Sequence, residues 1–353
     1  MGRSGRTAAV PVLLLYNLDP DWLPTESSEI LTEVDNLASA FASQGHAVSK
    51  CGLVTPDMAE SLADVDPASC VVFNWCDSLP GVAHSEADVA RGLEELGFTY
   101  TGAPPDVLAL SWQKDKVKKL LADSGVPTPA WSTLHEVPAN GWEWFPAIVK
   151  PAQEHSSLGL GRESVVLSHE ELESRVSHIL HEFRQPALVE DFIDGREFHV
   201  SVWGNGTLKV LPRAEIDFAA FADVRDRLCS YDAKFTPGSQ HYEAINLVLP
   251  APLSDGELRM LERVSIAAYK AVGCRDYARI DLRLRDGVFY VLDINPNCDM
   301  SSETSTALAA SMDLGSFGHL LSQVVALAAH RHPRRRELLG GAALDARSDL
   351  FAV

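Results

Sequence analysis

The sequence predicts an α/β protein of two to three domains in which a parallel β-sheet comes first. Its 353 residues are enough for that number, since a domain usually takes about 150. In the first part of the chain, short apolar runs alternate with amphipathic stretches, which is the order of strands joined by helical crossovers. Later, Asp286-Gly287 separates two strand-like runs, and this dipeptide is typical of a hairpin turn.

The first domain is expected to contain two buried strands and two helices. Apolar runs predict strands over 10–16 and 70–75, and helical spacing predicts helices over 30–43 and 87–96, each followed by a glycine. No small-residue cleavage site follows the first apolar run, so we expect a buried strand there and not a signal peptide. The run Thr101-Gly-Ala-Pro-Pro predicts the end of this domain.

The same criteria predict the elements that follow. The expected helices cover 112–124, 170–183, 255–272 and 314–330. The expected strands cover 147–150, 164–167, 187–192, 197–203, 242–249, 277–283 and 288–294. The basic stretch from Arg331 to Arg336 is expected to be a solvated helix end, where cations suit the negative end of the helix dipole.

The composition is that of a globular protein with an acidic balance. Hydrophobic residues make up 46% of the chain, and 30 Lys and Arg against 49 Asp and Glu give a net charge of −19. This charge argues against a general binder of nucleic acids or anionic membranes, because phosphates require a positive field. No apolar run reaches the length of about 18 residues that a membrane-spanning helix needs. Six cysteines without a CxxC pair predict reduced thiols of a cytoplasmic protein.

The two strands around Asp286-Gly287 carry the most informative polar pattern. Alternate residues of a strand share one face, so Arg279 and Asp281 point the same way. For the same reason, Asp293 and Asn295 share a face of the second strand. Two carboxylates and an amide oxygen on one face are hard ligands that suit Mg²⁺ held against phosphates. The alternative is a solvated face with a local Arg–Asp ion pair.

A second pattern predicts a loop that binds phosphate. Lys150 ends a strand and is followed by a small, glycine-containing loop with Ser156, Ser157, Gly159 and Gly161. Backbone N–H groups of such a loop can approach phosphate oxygens closely, and the lysine ammonium adds a positive charge. The spacing matches neither the P-loop nor the dinucleotide fingerprint, so a surface hairpin is the alternative.

The segment from Glu190 to Glu197 predicts a nucleotide contact. Apolar residues between its two acidic ends can hold a flat adenine, and Glu197 can accept hydrogen bonds from ribose hydroxyls. The alternative for this pattern is a strand, a turn and a strand without a ligand.

Taken in order, these segments resemble the ATP-grasp superfamily, and specifically its D-alanine–D-alanine ligase branch. The similarity runs from about Val71 to Val325 through seven motifs: Tyr100-Thr-Gly, the Lys114 helix ending in Gly125-Val-Pro-Thr-Pro, Val149-Lys150-Pro-Ala-Gln-Glu-His-Ser-Ser-Leu-Gly, Val189-Glu190-Asp-Phe-Ile-Asp-Gly-Arg-Glu197-Phe, Tyr231-Asp-Ala-Lys234-Phe, Arg279-Ile-Asp281 and Asp293-Ile-Asn295. The resemblance implies a Rossmann-like parallel domain over 1–103, a two-part ATP-grasp domain over 104–193 and 194–330, and a weakly structured basic tail over 331–353. It also implies a homodimer formed through the first domain.

The resemblance implies roles for individual residues as well. Those expected to contact ATP phosphates are Lys114 and Lys150, with the loop of Ser156 and Ser157 above them. Those expected to bind the nucleoside are Glu190, Asp191, Phe192 and Ile193 for adenine and Glu197 for ribose. Two Mg²⁺ ions, with Mn²⁺ as the alternative, would be held by Asp281, Asp293 and Asn295. Lys234 would meet the γ-phosphate or acyl phosphate, and Arg279 the oxyanion of the tetrahedral intermediate.

The chain departs from the family pattern where substrates are expected to bind. Cys298-Asp299 replaces the usual Pro-Gly ahead of the residues expected to bind the second substrate, Ser301, Ser302 and Thr304. Phe235 replaces a tyrosine, as in members that accept a hydroxy acid, and Asp293 replaces the usual glutamate. The glutamate for the substrate ammonium stays open among Glu26, Glu29 and Glu33.

The resemblance therefore implies an ATP-dependent ligase that activates a carboxylate as an acyl phosphate and joins it to an amine. Its partners would be small amino acids or amines, and neither nucleic acid nor membrane. The altered acceptor side favours a specialised dipeptide or amide ligase over the D-alanine–D-alanine cell-wall enzyme. The same motifs are also compatible with a depsipeptide ligase that takes a D-hydroxy acid acceptor, or with an ATP-binding module without turnover.

Overall fold

The structure of the protein is a computed structural model that describes residues 10–138, 141–155 and 157–338, with Lys234 and Phe235 described by their backbone alone. Across these ranges, no helix combines the length and the apolar character that crossing a membrane requires.

The first sheet is parallel and has three strands in the spatial order β2-β1-β3. Its strands are β1 (Val12–Asn17), β2 (Val48–Leu53) and β3 (Val71–Trp75). The helices of this region are α1 (Pro24–Ser43), α2 (Met58–Ser61) and α3 (Glu86–Glu95). β1 is buried along its whole length, as its apolar run predicts.

The second sheet is antiparallel, in the order β4-β7-β5-β6. Its strands are β4 (Trp131–Leu134), β5 (Ala147–Pro151), β6 (Val165–Val166) and β7 (Ala187–Asp191). Helices α4 (Pro105–Ser111) and α5 (Lys114–Asp123) precede it, and α6 (His169–Glu182) packs against β5. The ends of β5 and β7 supply two of the predicted nucleotide contacts.

The third sheet is antiparallel, in the order β11-β10-β8-β12-β13 with β9 beside β8. Its strands are β8 (Arg196–Trp203), β9 (Lys209–Val210), β10 (Ala214–Asp217), β11 (Asn246–Val248), β12 (Tyr277–Arg285) and β13 (Val288–Asn295). The helices of this part are α7 (Tyr231–Phe235), α8 (Gln240–Ala244), α9 (Asp255–Val272), α10 (Ser305–Leu314), α11 (Phe317–Ala329) and α12 (Arg335–Leu338).

One apolar core joins the first sheet to the third. Leu13 and Val72 from the first sheet and Val200 and Ile280 from the third are all buried in it. Removing this much apolar surface from water is the main stabilising contribution to such a fold. The core therefore fixes the first sheet against the strands that carry the predicted metal ligands.

The predicted class, a leading parallel sheet followed by antiparallel strands, is confirmed. Asp286 and Gly287 form the two-residue turn between β12 and β13, with φ angles of 52° and 75° that such a turn requires. α9 spans the predicted residues because Ser254 caps its start and Gly273, with φ of 82°, ends it.

One predicted element is wrong, and another differs in where it begins. The expected strand over 242–249 is instead the end of helix α8 followed by the short strand β11, because the Ser239 side chain accepts a hydrogen bond from the Tyr242 N–H (3.1 Å) and starts a helix. The expected helix over 314–330 begins at Phe317, because Gly315 ends α10 with φ of 81° and Ser316 caps α11.

Candidate active site

The turn between β12 and β13, together with a β-bulge next to Asp281, places the four polar residues of these strands side by side. Arg279 pairs with Asn295 and Asp281 with Asp293 in the register of the two strands. Both oxygens of Asp281 accept hydrogen bonds from Arg279, at 2.8 and 3.0 Å. The Asn295 side-chain N–H₂ donates to Asp281 at 3.1 Å. The structure thus brings together the residues predicted for the metal site and the oxyanion.

Charge pairing keeps Asp281 ionised although it is half-buried. Burial alone raises the pKa of Asp281, but Arg279 and then His199 outweigh it and hold that pKa below its usual range. Burial alone lowers the pKa of Arg279, but the opposing effect of Asp281 is larger and raises that pKa above its usual range. This side of the site therefore contains an ionised carboxylate and an ionised guanidinium.

Asp293 is the second ionised carboxylate of the site. The Lys114 ammonium lies 2.7 Å from its Oδ2. Burial alone raises the pKa of Asp293, but Lys114, His155 and Lys150 together hold it well below its usual range. Burial and the Lys114 charge in turn lower the pKa of His155 to about 4. Lys114, predicted to bind phosphate, thus lies against a predicted metal ligand.

Two lysines share the carboxylate of Glu190. Lys150 lies 3.0 Å from Oε2 and Lys118 lies 3.0 Å from Oε1, and Lys118 also donates to the Thr128 hydroxyl at 2.9 Å. Burial lowers the pKa of Lys118 to about 8 against the opposing effect of Glu190. Lys118 is absent from our sequence-based site, although it lies four residues after Lys114 and therefore on the same face of α5.

Arg283 organises the segment predicted to bind the nucleoside. Its Nε donates to the Glu197 carboxylate at 2.7 Å and its Nη1 to the Ile193 carbonyl at 3.0 Å. Its guanidinium also lies 4.6 Å from the centre of the Phe192 ring, a distance typical of a cation–π contact. Next to this group, Asp191 forms an ion pair with Arg285. Neither arginine was predicted as a site residue.

The glycine-containing loop after β5 is anchored on both sides. The Ser157 hydroxyl donates to the Cys229 carbonyl at 2.9 Å, and the Arg175 side chain donates to the Gly159 carbonyl. A side chain at Gly159 would come within 2.6 Å of Phe183, so close packing and a φ of 71° both favour glycine there.

Three predicted residues lie wholly or partly outside the described part of the chain. Ser156 is not among the described residues. Lys234 and Phe235 belong to α7, which the Ser230 hydroxyl caps, and their side chains lie outside the described part as well.

The loop that follows β13 connects to α1 and β3. Ser302 donates to the Glu33 carboxylate through both its backbone N–H and its hydroxyl. Asp299 accepts hydrogen bonds from Ser301 and, at 3.4 Å, from the Trp75 indole. Thr304 caps α10. Of the three glutamates left open by the sequence, Glu33 is the half-buried one that reaches this loop, whereas Glu26 and Glu29 are exposed.

The arrangement offers cations for a polyphosphate, ionised oxygens for a divalent metal and a buried guanidinium for a developing oxyanion. His199 lies between the predicted metal ligands and the segment predicted to bind the nucleoside, since its Nε2 is 3.9 Å from Asp281 and 4.0 Å from Glu197. Positioning and electrostatic stabilisation of this kind are what phosphoryl transfer to a carboxylate needs.

Comparisons with known proteins agree with this chemistry. The family model described as "D-ala D-ala ligase C-terminus" matches residues 120–326. An uncharacterised protein, y4sG, of Sinorhizobium fredii is 33% identical over 307 residues, which cover 84% of this chain and 88% of that protein. A D-alanine–D-alanine ligase of Desulforudis audaxviator is 32% identical over 263 residues, covering 72% and 80%.

Solved structures show the same fold. A D-alanine–D-alanine ligase of Bacillus anthracis, crystallised with ATP, superposes with a TM-score of 0.71 at 20% identity and covers 93% of this chain and 99% of that chain. A D-alanine–D-alanine ligase of Coxiella burnetii superposes with a TM-score of 0.68 at 19% identity and covers 97% and 100%.

Proposed function

Because this chain belongs to the D-alanine–D-alanine ligase family and is an ATP-grasp ligase, we propose that it joins the carboxylate of one amino acid, or a related acid, to the amine of a second through an acyl phosphate. One observation carries the proposal: the paired strands β12 and β13 hold Asp281, Asp293 and Asn295 on one face beside Arg279. Its substrates are ATP and small amino acids or amines, and its location is the cytoplasm, where ATP is available.

The residues present fit both ATP and a divalent metal. The three cations Lys114, Lys118 and Lys150 surround one end of the site, which favours phosphate groups there. Asp281, Asp293 and Asn295 offer only hard oxygen donors, which suit Mg²⁺ and also Mn²⁺. When bound, Mg²⁺ would offset negative charge on the transferring phosphoryl group.

The chain's own residues then account for each stage of the reaction. A carboxylate oxygen of the first substrate attacks the γ-phosphorus, ADP departs, and Lys150 and Lys234 stabilise the transferred charge. The amine of the second substrate attacks the carbonyl carbon, and Arg279 stabilises the oxyanion that forms. The C–O bond then breaks, phosphate leaves with the former carboxylate oxygen, and the amine loses its proton. No protein nucleophile is required, since positioning and charge suffice.

Adenine lies, in this proposal, against the segment from Glu190 to Ile193, and the ribose hydroxyls meet Glu197. Arg283 supports that placement because it holds both Glu197 and the Ile193 carbonyl in position. Ser156 and Ser157 cover the phosphates from the loop after β5.

We assign the acceptor side to a specialised ligase. In this proposal Ser301, Ser302 and Thr304 bind the second substrate. Glu33 binds the ammonium of the first, and its hydrogen bonds from Ser302, which hold it at the acceptor loop, support that role. Asp299, which accepts a hydrogen bond from the Trp75 indole, is one of the positions at which this chain departs from the family pattern. A changed acceptor loop on a retained nucleotide half supports a different substrate pair from that of the cell-wall enzyme.

The test is a phosphate-release screen of the purified chain with Mg²⁺ and ATP over pairs of D- and L-amino acids, amines and D-hydroxy acids. We expect release to rise with a particular pair, and the product mass to identify an amide. A mass that fits an ester would instead support the depsipeptide ligase that Phe235 suggests. ATP binding without release for any pair would contradict the proposal and favour a binding module.

A further inference from the structure

We propose that Glu197, His199 and Cys229 form a binding site for a thiophilic divalent cation, Zn²⁺, and that a cation held there excludes the nucleotide ribose. The cation site stands on geometry alone. The exclusion rests on the proposed function, because it requires that Glu197 be the group that meets the ribose.

The three side chains converge from two parts of the fold. Glu197 and His199 are alternate residues of β8, so they share one face of the third sheet. Cys229 comes from the loop that leads into α7. One ligand atom from each lies within 4.8 Å of the other two, and within residues 10–138, 141–155 and 157–338 this is the one group of His, Cys, Asp and Glu side chains that meets this condition.

The donor set identifies the class of cation. A thiolate, an imidazole and a carboxylate together are typical zinc ligands, whereas Mg²⁺ prefers oxygen donors alone. A tetrahedral Zn²⁺ holds its ligand atoms about 3.5 Å apart. Glu197 Oε1 and His199 Nε2 are already 4.0 Å apart, so side-chain rotation closes the site without movement of the strand.

Neighbouring groups hold the three ligands in place. Arg283 binds Glu197 through Oε2, so Oε1 is the oxygen that faces His199. The other ring nitrogen of His199 lies 3.5 Å from the Ser305 hydroxyl. Such contacts from a second layer of residues orient metal ligands and raise affinity. The cysteine binds as a thiolate, so its thiol proton passes to solvent on binding.

This site is separate in chemistry from the Mg²⁺ carboxylates, although it is near them. His199 Nε2 lies 3.9 Å from Asp281 Oδ1, but Asp281 is already held by two hydrogen bonds from Arg279. The cation takes the Glu197 oxygen that the ribose would otherwise meet. It also fixes Cys229, whose carbonyl accepts from Ser157 on the phosphate loop. Occupancy therefore weakens ATP binding while Asp293 and Asn295 stay available.

The test uses Co²⁺ as a spectroscopic probe on the full chain after removal of metals with a chelator. We expect a near-ultraviolet thiolate-to-Co²⁺ charge-transfer band that saturates at one ion per chain and disappears when Zn²⁺ is added. Cys229→Ser should abolish the band. Cys51→Ser is the matched control, because Cys51 is also half-buried but lies on β2, and it should leave the band unchanged.

His199→Asn keeps the thiol, and it should weaken Co²⁺ binding at least about tenfold through loss of one ligand. Circular dichroism and thermal melting check that each variant is folded. If Cys229→Ser does not fold, the Co²⁺ affinity of His199→Asn tests the site in its place. The absence of a band in the unaltered chain, its survival in Cys229→Ser, or an unchanged Co²⁺ affinity in His199→Asn would overturn the site. A band that ATP does not compete away would overturn the exclusion alone, whereas failure of ATP to bind the metal-free chain would count against the proposed function.

Discussion

The buried or half-buried carboxylates of the proposed nucleotide site each have a cation beside them. Glu190 has Lys118 and Lys150, Asp293 has Lys114, and Asp281 has Arg279. An unpaired buried charge is costly, so these pairs allow ionised groups to persist in the pocket before substrates arrive. In the proposed function, ATP phosphates would compete with the carboxylates for the same ammonium groups, and loss of the Lys114 contact would leave Asp293 available to a metal ion.

Asp281→Asn tests the metal and oxyanion side of the site. We expect kcat to fall at least about 100-fold, since a preorganised charged group typically contributes that much to catalysis. Nucleotide binding should persist, because Glu190, Glu197 and the lysines are unchanged. ADP formation and ATP calorimetry measure the two effects. Asp313→Asn, at an exposed position, is the control, and retained turnover in Asp281→Asn would show that our assignment is wrong.

Glu86 gives a prediction for pH dependence. Burial raises its pKa to about 7, although Asn297 and the Trp112 indole (3.3 Å) partly stabilise the charge. Since the folded chain holds this proton more tightly than the unfolded one, the carboxyl lowers stability as the pH rises from about 4.5 to about 7. Glu86→Gln removes the effect. The free energy of unfolding of Glu86→Gln minus that of the parent should therefore be larger at pH 8 than at pH 5, by about 2 to 3 kcal/mol.

Urea unfolding of both proteins at the two pH values measures this difference. If the unfolding free energies of the two proteins differ by the same amount at pH 5 and at pH 8, Glu86 is ionised at both pH values and the prediction is wrong.

Single residues also show what the sequence can predict of the site. Alternation along β12 and β13 predicts which residues share a face within each strand, but the register set by the two-residue turn would pair Asp281 with Leu292. A β-bulge next to Asp281 shifts the pairing by one residue, so that Asp293 lies opposite Asp281 and Asn295 opposite Arg279. We did not predict this bulge. Lys118 and Arg283 were missed because lysine and arginine are usually exposed. Their burial depends on Glu190 and Glu197, which come from other strands. Only the assembled sheets supply those partners.

At the scale of elements, the turn from β7 into β8 fixes where Glu197 lies. Gly195 occupies this turn so close to β12 that a Cβ atom would come within 1.9 Å of the Leu284 carbonyl oxygen. A backbone atom cannot rotate away as a flexible side chain can, so the strands themselves must separate. Close packing therefore requires glycine at this position, whereas its φ angle does not.

Gly195→Ala should destabilise the protein by about 3 kcal/mol through this overpacking. Gly256→Ala is the control, because Gly256 lies in α9 with no atom within 4 Å of the added carbon. Alanine is the better helix former by up to about 1 kcal/mol, so the control should be neutral or more stable. Urea unfolding measures both, and equal stabilities would refute the packing argument.

Elements with local end signals could be predicted from the sequence, and those without could not. α9 carries Ser254 and Glu257 at its start and Gly273 at its end, and its bounds are as expected. β2 lacks an apolar run, since Ser49 and Lys50 in its middle are polar and exposed, so no pattern predicted this strand. α4 was missed because Pro104-Pro105 also signals a turn, although proline suits the first position of a helix.

At the scale of the whole molecule, one buried carboxylate joins distant parts of the chain. Asp276 is fully buried before β12 and accepts hydrogen bonds from Arg331, Asn205 and the Gly102 N–H. Arg331 also donates to the Tyr100 carbonyl. Arg331 is exposed, as expected for this basic stretch, but its ion pair with Asp276 was not predicted, because this partner lies more than fifty residues away and is invisible to local pattern.

Arg331→Met should destabilise the protein by about 3 kcal/mol or more, because it leaves a buried carboxylate without its cation. Arg334→Met is the control on the same stretch, since Arg334 forms an exposed pair with Glu337, and pairs of that kind contribute little. Thermal melting and urea unfolding compare the two variants. Equal, small effects would show that Asp276 does not depend on Arg331.

Isotope transfer shows directly whether the β12–β13 strands serve to activate a carboxylate by phosphorylation. The acid substrate found in the screen is prepared with ¹⁸O in both carboxylate positions, and the phosphate released in one turnover is analysed by mass spectrometry. An acyl phosphate predicts ADP together with phosphate that carries one labelled oxygen. Unlabelled phosphate, or label appearing in AMP, would contradict the account.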